Sequence, residues 1–125
     1  MSKVIETKKA PGAIGPYSQG IDAGTLVFTS GQLPISMANG ELESADIRQA
    51  TRNSLENCKA ILEAADSSLD KVVKTTVFLT DLADFGAMNE VYATFFPGNP
   101  PARSCVQVAA LPKGAKVEIE VIASK

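Results

Sequence analysis

The chain has 125 residues, 45% of them hydrophobic and 21% charged, with 12 basic side chains against 14 acidic ones and no histidine. That length predicts one domain over residues 1–125, burying roughly two-thirds of the unfolded surface, and the proportions exclude a disordered chain. Near-balanced charge argues against nucleic-acid or anionic-lipid partners, and the missing histidine removes the commonest general base and the commonest metal ligand.

Cys58 and Cys105 are too few for a disulfide framework and fit the reducing conditions of the cytoplasm. No apolar run approaches the roughly 20 residues that span a bilayer, and residues 1–11 lack the hydrophobic stretch of a signal peptide.

Residues 4–8 read as a short strand and the Gly- and Pro-rich residues 10–15 as a loop. Residues 17–22 and 26–30 read as strands joined by a hairpin at Ala23-Gly24, with loop over residues 31–40. Over residues 46–65, Ile47, Ala50, Leu55, Cys58, Ile61, Leu62 and Ala65 recur at helical spacing, and Ser44 or Asp46 is placed to cap the first turn. Residues 72–80 are rich in β-branched side chains and apolar on both alternating faces, which predicts a central strand covered on both sides. Asp84 is placed to cap a second helix bearing Phe85, Met88, Val91, Tyr92 and Phe95 on one stripe, and Pro97, Pro100 and Pro101 end it.

In the strand over residues 103–108, Val106 and Val108 share one face, while Arg103, Cys105 and Gln107 share the other. In the last strand Val117, Ile119 and Val121 oppose Glu118 and Glu120. If a turn at residues 111–114 makes these strands neighbours, matching their apolar faces puts Arg103 and Cys105 beside the two glutamates. Two helices, each about 10 Å across, cover only one face of a sheet of five or six strands. Val72 and Phe78 then predict a second apolar face buried in a closed homo-oligomer; the alternative is a monomer with an open, half-polar sheet.

Arg103 follows Pro100-Pro101-Ala102, which holds the chain extended, and its planar fork suits a carboxylate; a surface ion pair with Glu118 or Glu120 is the plainer alternative. Glu118 or Glu120 can orient or deprotonate water, although a solvated strand face also explains such a pair. Cys105 beside a cation suggests a thiolate, yet with no histidine as its base, packing is the stronger reading. Tyr17 follows a rigid Gly15-Pro16 turn that projects its phenol, and the Gly31 N–H can hold a carboxylate oxygen; loop packing and turn formation are the alternatives.

Taken together, Gly15-Pro16-Tyr17-Ser18-Gln19, Thr29-Ser30-Gly31-Gln32, Pro101-Ala102-Arg103-Ser104-Cys105-Val106 and Val117-Glu118-Ile119-Glu120 resemble the RidA family (YjgF/YER057c/UK114), in order and with similar spacing over about residues 4–123. The resemblance implies an α+β, chorismate-mutase-like fold of the bacillus type, with a mixed sheet carrying two helices on one face. It also implies a homotrimer whose sheets form a central barrel with clefts between subunits. The implied activity is hydrolysis of 2-aminoacrylate and related 2-imino acids, released by pyridoxal-phosphate-dependent dehydratases, to 2-keto acids and ammonia without metal or cofactor. Arg103 would bind the substrate carboxylate, the Cys105 backbone N–H would assist, and Glu118 would hold the attacking water. Tyr17, Ser30 and Gly31 would come from the neighbouring subunit, with Asn89 near the cleft. The segment Pro97-Gly98-Asn99-Pro100-Pro101-Ala102 departs from many relatives in being short and proline-rich, which would reshape the cleft mouth. A small-carboxylate-sensing regulatory module and a ribonuclease or translation inhibitor are the competing functions; the chain offers the latter no basic stripe, aromatic RNA-binding motif or histidine pair.

Overall fold

A computed structural model describes residues 2–125. It contains strands β1 (Lys3–Ile5), β2 (Gly20–Asp22), β3 (Leu26–Thr29), β4 (Val72–Leu79), β5 (Ala102–Gln107) and β6 (Val117–Ser124), with helices α1 (Ile47–Ala64) and α2 (Phe85–Phe95). The sheet order is β1-β2-β3-β6-β4-β5. Every pairing is antiparallel except β4 with β5, which α2 connects as a crossover. The arrangement is the α+β one predicted: a mixed sheet with two helices on one face. Among the described residues no helix is long and apolar enough to cross a membrane.

Helix α1 starts at Asp46, whose carboxylate accepts from the N–H groups of Arg48 (2.9 Å) and Gln49 (3.4 Å); Asp46, not Ser44, is the cap. Its apolar stripe, Ala50, Leu55, Cys58, Ile61 and Leu62, is fully buried over β6 and β3 and against α2. Val77, Leu79, Val117, Ile119 and Val121 meet it from the sheet, and each such aliphatic burial contributes about 1.5–3 kcal/mol.

Helix α2 begins differently from the sequence expectation. Asp84 makes no side-chain capping bond, because its backbone is already helical (φ −83°, ψ −2°), whereas a capping residue needs an extended conformation. Asp81 does that work one turn earlier, accepting from the Ala83 N–H at 2.9 Å and starting a 3-10 turn (Leu82–Asp84) that runs into the helix.

A second correction concerns β5 and β6. They are not neighbours, because β4 lies between them. Val77 stands opposite both Cys105 on β5 and Ile119 on β6, so Arg103 and Cys105 share the helix-covered face with Val117, Ile119 and Val121. Glu118 and Glu120 lie on the other face. The hairpin expectation took adjacency in sequence for adjacency in space; the crossover through α2 instead places β5 outside β4, at the sheet edge. Val106 accordingly faces away from the helices and is 44% exposed.

Val72 belongs to the helix-side core, so of the two residues thought to need a second cover only Phe78 does. Phe78 sits between Glu118 and Val106, and Phe28 pairs with Ile122, so the face away from the helices carries a broken apolar stripe. Among the described residues of one chain no helix or strand covers it.

Candidate active site

The candidate residues fall into two groups. Tyr17, Ser30, Gly31, Glu118 and Glu120 line one cleft of about 530 Å³, walled on its apolar side by residues that include Ile14, Leu33 and Pro112. Gly31 is the tightest point. A Cβ at this position would lie 2.7 Å from Cδ and 2.8 Å from Oε2 of Glu118, so the carboxylate rests directly on the Gly31 backbone. Two hydrogen bonds fix that approach: the Gln32 N–H donates to the Ile119 carbonyl (2.7 Å) and the Ile119 N–H to the Gln32 carbonyl (3.2 Å). Among the described residues no backbone acceptor takes the Gly31 N–H.

Ser30 is committed elsewhere. Its hydroxyl donates to the Ser18 carbonyl at 2.6 Å and its N–H to the Gln19 carbonyl at 2.9 Å, so it fastens the loop bearing Tyr17. The opposite wall is held from α1, where the Asn57 amide donates to the carbonyls of Leu33 (3.3 Å) and Ile35 (2.9 Å). Burial pushes the Glu118 carboxyl above the ordinary carboxylate value, and the neighbouring Glu120 charge adds to it. A carboxyl raised in this way accepts and returns a proton more readily near neutrality than an exposed glutamate does.

The second group lies beside α2. The Arg103 guanidinium donates from Nη1 to Oδ1 of Asn89 at 2.6 Å. Its central carbon stands 4.8 Å from the ring centre of Tyr92 and 5.4 Å from that of Phe85, and the Tyr92 hydroxyl is itself bonded to the Thr75 hydroxyl at 2.7 Å. Among the described residues only Asn89 takes a hydrogen bond from this guanidinium, so one amide and two rings hold its plane and leave its other N–H donors for a ligand. The sequence reading has Asn89 near the cleft but takes Phe85 and Tyr92 as core; Phe85, Asn89 and Tyr92 at i, i+4 and i+7 were the signal of the cradle, since they form one helix face.

Cys105 sits on the Arg103 side and packs against the core. Burial pushes its thiol up by more than Arg103 draws it down, which disfavours the thiolate and leaves packing as its side-chain role. Cys58, wholly buried, is pushed up to about 12. Among the described residues no group of three or more His, Cys, Asp or Glu side chains is placed to hold a metal ion.

Arg103, Asn89 and Cys105 are thus brought together, as are Tyr17, Ser30, Gly31 and Glu118, but a single chain keeps the two groups on opposite faces of the sheet. Glu118 belongs with Tyr17 and Gly31, not with Arg103 as the resemblance had grouped it.

Comparison with known proteins sets these groups in a family. Residues 7–125 match the model of the family described as Endoribonuclease L-PSP. The 2-iminobutanoate/2-iminopropanoate deaminase of Escherichia coli K12 is 52% identical, covering 98% of this chain and 98% of its own. Among solved structures, Escherichia coli TdcF with bound serine aligns with a TM-score of 0.94 at 55% identity, covering 98% of both chains. YyfA of Yersinia pestis, a protein of the conserved Rid family, aligns with a TM-score of 0.96 at 50% identity over 100% of both. With the family model matched over nearly the whole length and relatives above half identity, this chain belongs to the RidA family.

Proposed function

We propose that the protein is a deaminase that hydrolyses 2-imino acids, the imine and enamine products of pyridoxal-phosphate-dependent dehydratases, to 2-keto acids and ammonia in the cytoplasm. Its working form is a homotrimer in which each cleft takes Arg103, Asn89 and the Cys105 backbone from one copy and Tyr17, Gly31 and Glu118 from the next. The observation that carries this reading is the division of the site. A fixed guanidinium sits at the sheet edge and a raised carboxylate on the uncovered face, and a second copy laid on that face supplies what the first lacks. The stripe of Phe28, Phe78, Val106 and Ile122 is the apolar area such a contact buries.

In the cleft the Arg103 fork takes the substrate carboxylate, with the Gly31 N–H beside it. Glu118 receives a proton from water as the water oxygen attacks C2 of the protonated imine, and the C=N bond becomes a C–N bond to a neutral amine. Glu118 returns that proton to the nitrogen; the C–N bond then breaks and ammonia leaves, while the C2 hydroxyl gives its remaining proton to Glu118, and from there to solvent, as C2 becomes the keto carbon. Imines hydrolyse unaided, so about 4 kcal/mol from anchoring one substrate and aiming one water gives nearly a thousandfold. The name of the deaminase relative supports the substrate class, and serine in the TdcF crystal supports a site for small amino-acid-like carboxylates.

The test couples the purified protein to a threonine dehydratase and follows 2-keto acid formation. Acceleration over buffer is expected; ligand binding without acceleration would favour the sensing module instead. The family description keeps ribonuclease activity in view. RNA cleavage that disappears with Glu118→Gln or Arg103→Ala would favour the ribonuclease over the deaminase.

A further inference from the structure

We propose that Gln19 is a positioning residue that holds the loop of residues 11–18 as a wall of the cleft and so sets how tightly the site takes its substrate; this rests on the deaminase reading above. The loop carries Pro11, Gly12, Ile14 and Tyr17 into the cleft lining, yet burial does little to hold it there, since Ile14 is 77% and Tyr17 51% exposed. An exposed segment of this kind keeps one conformation only if hydrogen bonds fasten its ends.

At the far end, the Ser30 hydroxyl and N–H hold Ser18 and Gln19. At the near end a single buried side chain does the fastening. The Gln19 amide, 4% exposed, donates to the carbonyls of Thr7 (3.0 Å), Ala10 (3.2 Å) and Pro11 (2.8 Å), and its oxygen accepts from the Thr7 N–H at 2.7 Å. Two amide hydrogens divided among three carbonyls, with the oxygen also filled, satisfy every group of that side chain within one loop. The residue is anchored from behind as well. A Cβ at Gly20 would lie 2.8 Å from both Cγ2 of Ile61 and the Phe28 carbonyl, so the backbone beside Gln19 is pressed onto α1 and β3 and cannot yield. The fastening therefore runs from the rigid core, through one amide, to a wall of the cleft that is mostly exposed.

Gln19→Met keeps the side chain's length and loses all four bonds. The expected result is KM for the imino acid raised about tenfold with kcat within about twofold, because Arg103 and Glu118 are untouched. Hydrogen exchange should speed up at the Thr7 amide and across residues 8–17, with α1 and β6 unchanged. A merely structural role would lower the melting temperature and speed exchange generally without moving KM, and that outcome overturns the inference. Should Gln19→Met fail to fold, wild-type exchange decides. The Thr7 amide should be protected, and residues 12–17 should gain protection when 2-oxobutanoate is added; no gain overturns the loop's place in the site. If the wild type binds 2-oxobutanoate but does not speed imine hydrolysis, the deaminase reading falls while the loop inference is still read from binding, which Gln19→Met should weaken about tenfold. A wild type that neither turns over nor binds 2-oxobutanoate overturns both.

Discussion

The two halves of the candidate site are built by different means. The arginine half joins two consecutive elements, α2 and β5, and its key contact spans 14 residues. The carboxylate half gathers Tyr17, Gly31 and Glu118 from distant parts of the chain through loop fastenings and one backbone-to-carboxylate approach. The first half supplies a charge whose surroundings tolerate its loss; the second supplies a shape in which a single added methyl is felt. The sharpest way to break this contrast is to remove the charge. Arg103→Ala should lower kcat/KM about a thousandfold, the scale of a lost bidentate anchor, while the melting temperature moves little because Arg103 itself is only partly buried, on the edge strand. Arg103→Lys should stay at least about tenfold impaired, since an ammonium lacks the fork. Full turnover by Arg103→Ala would show that the guanidinium is not the anchor.

Gly31→Ala addresses the other half without touching a charge. Gly31 does not have a positive φ, so alanine suits its backbone, and the neighbour it meets is the end of the Glu118 side chain, which can swing aside. Stability within about 1 kcal/mol of wild type is expected, alongside a loss of activity of about a hundredfold as the carboxylate leaves its place. Were activity kept, the contact between Gly31 and Glu118 would be packing alone.

Mixing the halves gives a smaller but more discriminating effect. Arg103→Ala and Glu118→Gln subunits, each inactive alone, are denatured together and refolded at equal ratio. If every cleft draws its arginine and its glutamate from different copies, about a quarter of the clefts receive both intact groups, and about a quarter of wild-type activity returns. Clefts formed within one chain would return none.

This division was only partly legible in the sequence. The alternation of Val117, Ile119 and Val121 against the glutamates placed β6 correctly, because a two-residue period needs no knowledge of the partner strand. The identity of that partner was not legible from alternation. Its signal was the helix between β4 and β5, which marks a parallel crossover and carries β5 past β4 to the edge. The approach of Gly31 to Glu118 and the reach of Gln19 into its loop left no local pattern at all, since they depend on how β3, β6 and the loops converge. The sequence puts the cap of α2 at Asp84, whereas Asp81 makes the capping bond; both lie close to the α2 start, and only backbone conformation separates them.

The smallest expected effect concerns stability. Burial and Glu120 hold the Glu118 carboxyl above its ordinary value of 4.5, so the folded state binds its proton more tightly than the unfolded state does. Protonated Glu118 therefore costs the fold nothing below about pH 4.5, and ionising it costs stability as pH rises through the raised value. Glu118→Gln, neutral at every pH and similar in shape, escapes that cost. Its melting temperature should exceed wild type at pH 7 and the gain should shrink toward pH 4, even as its activity falls. Arg103 offers no such exchange, because its removal deletes ring contacts and the hydrogen bond to Asn89 and relieves no charge repulsion. A Glu118→Gln protein no more stable than wild type at pH 7 would mean that the cleft leaves this carboxylate well solvated, and the case for its acting as a proton carrier would weaken with it.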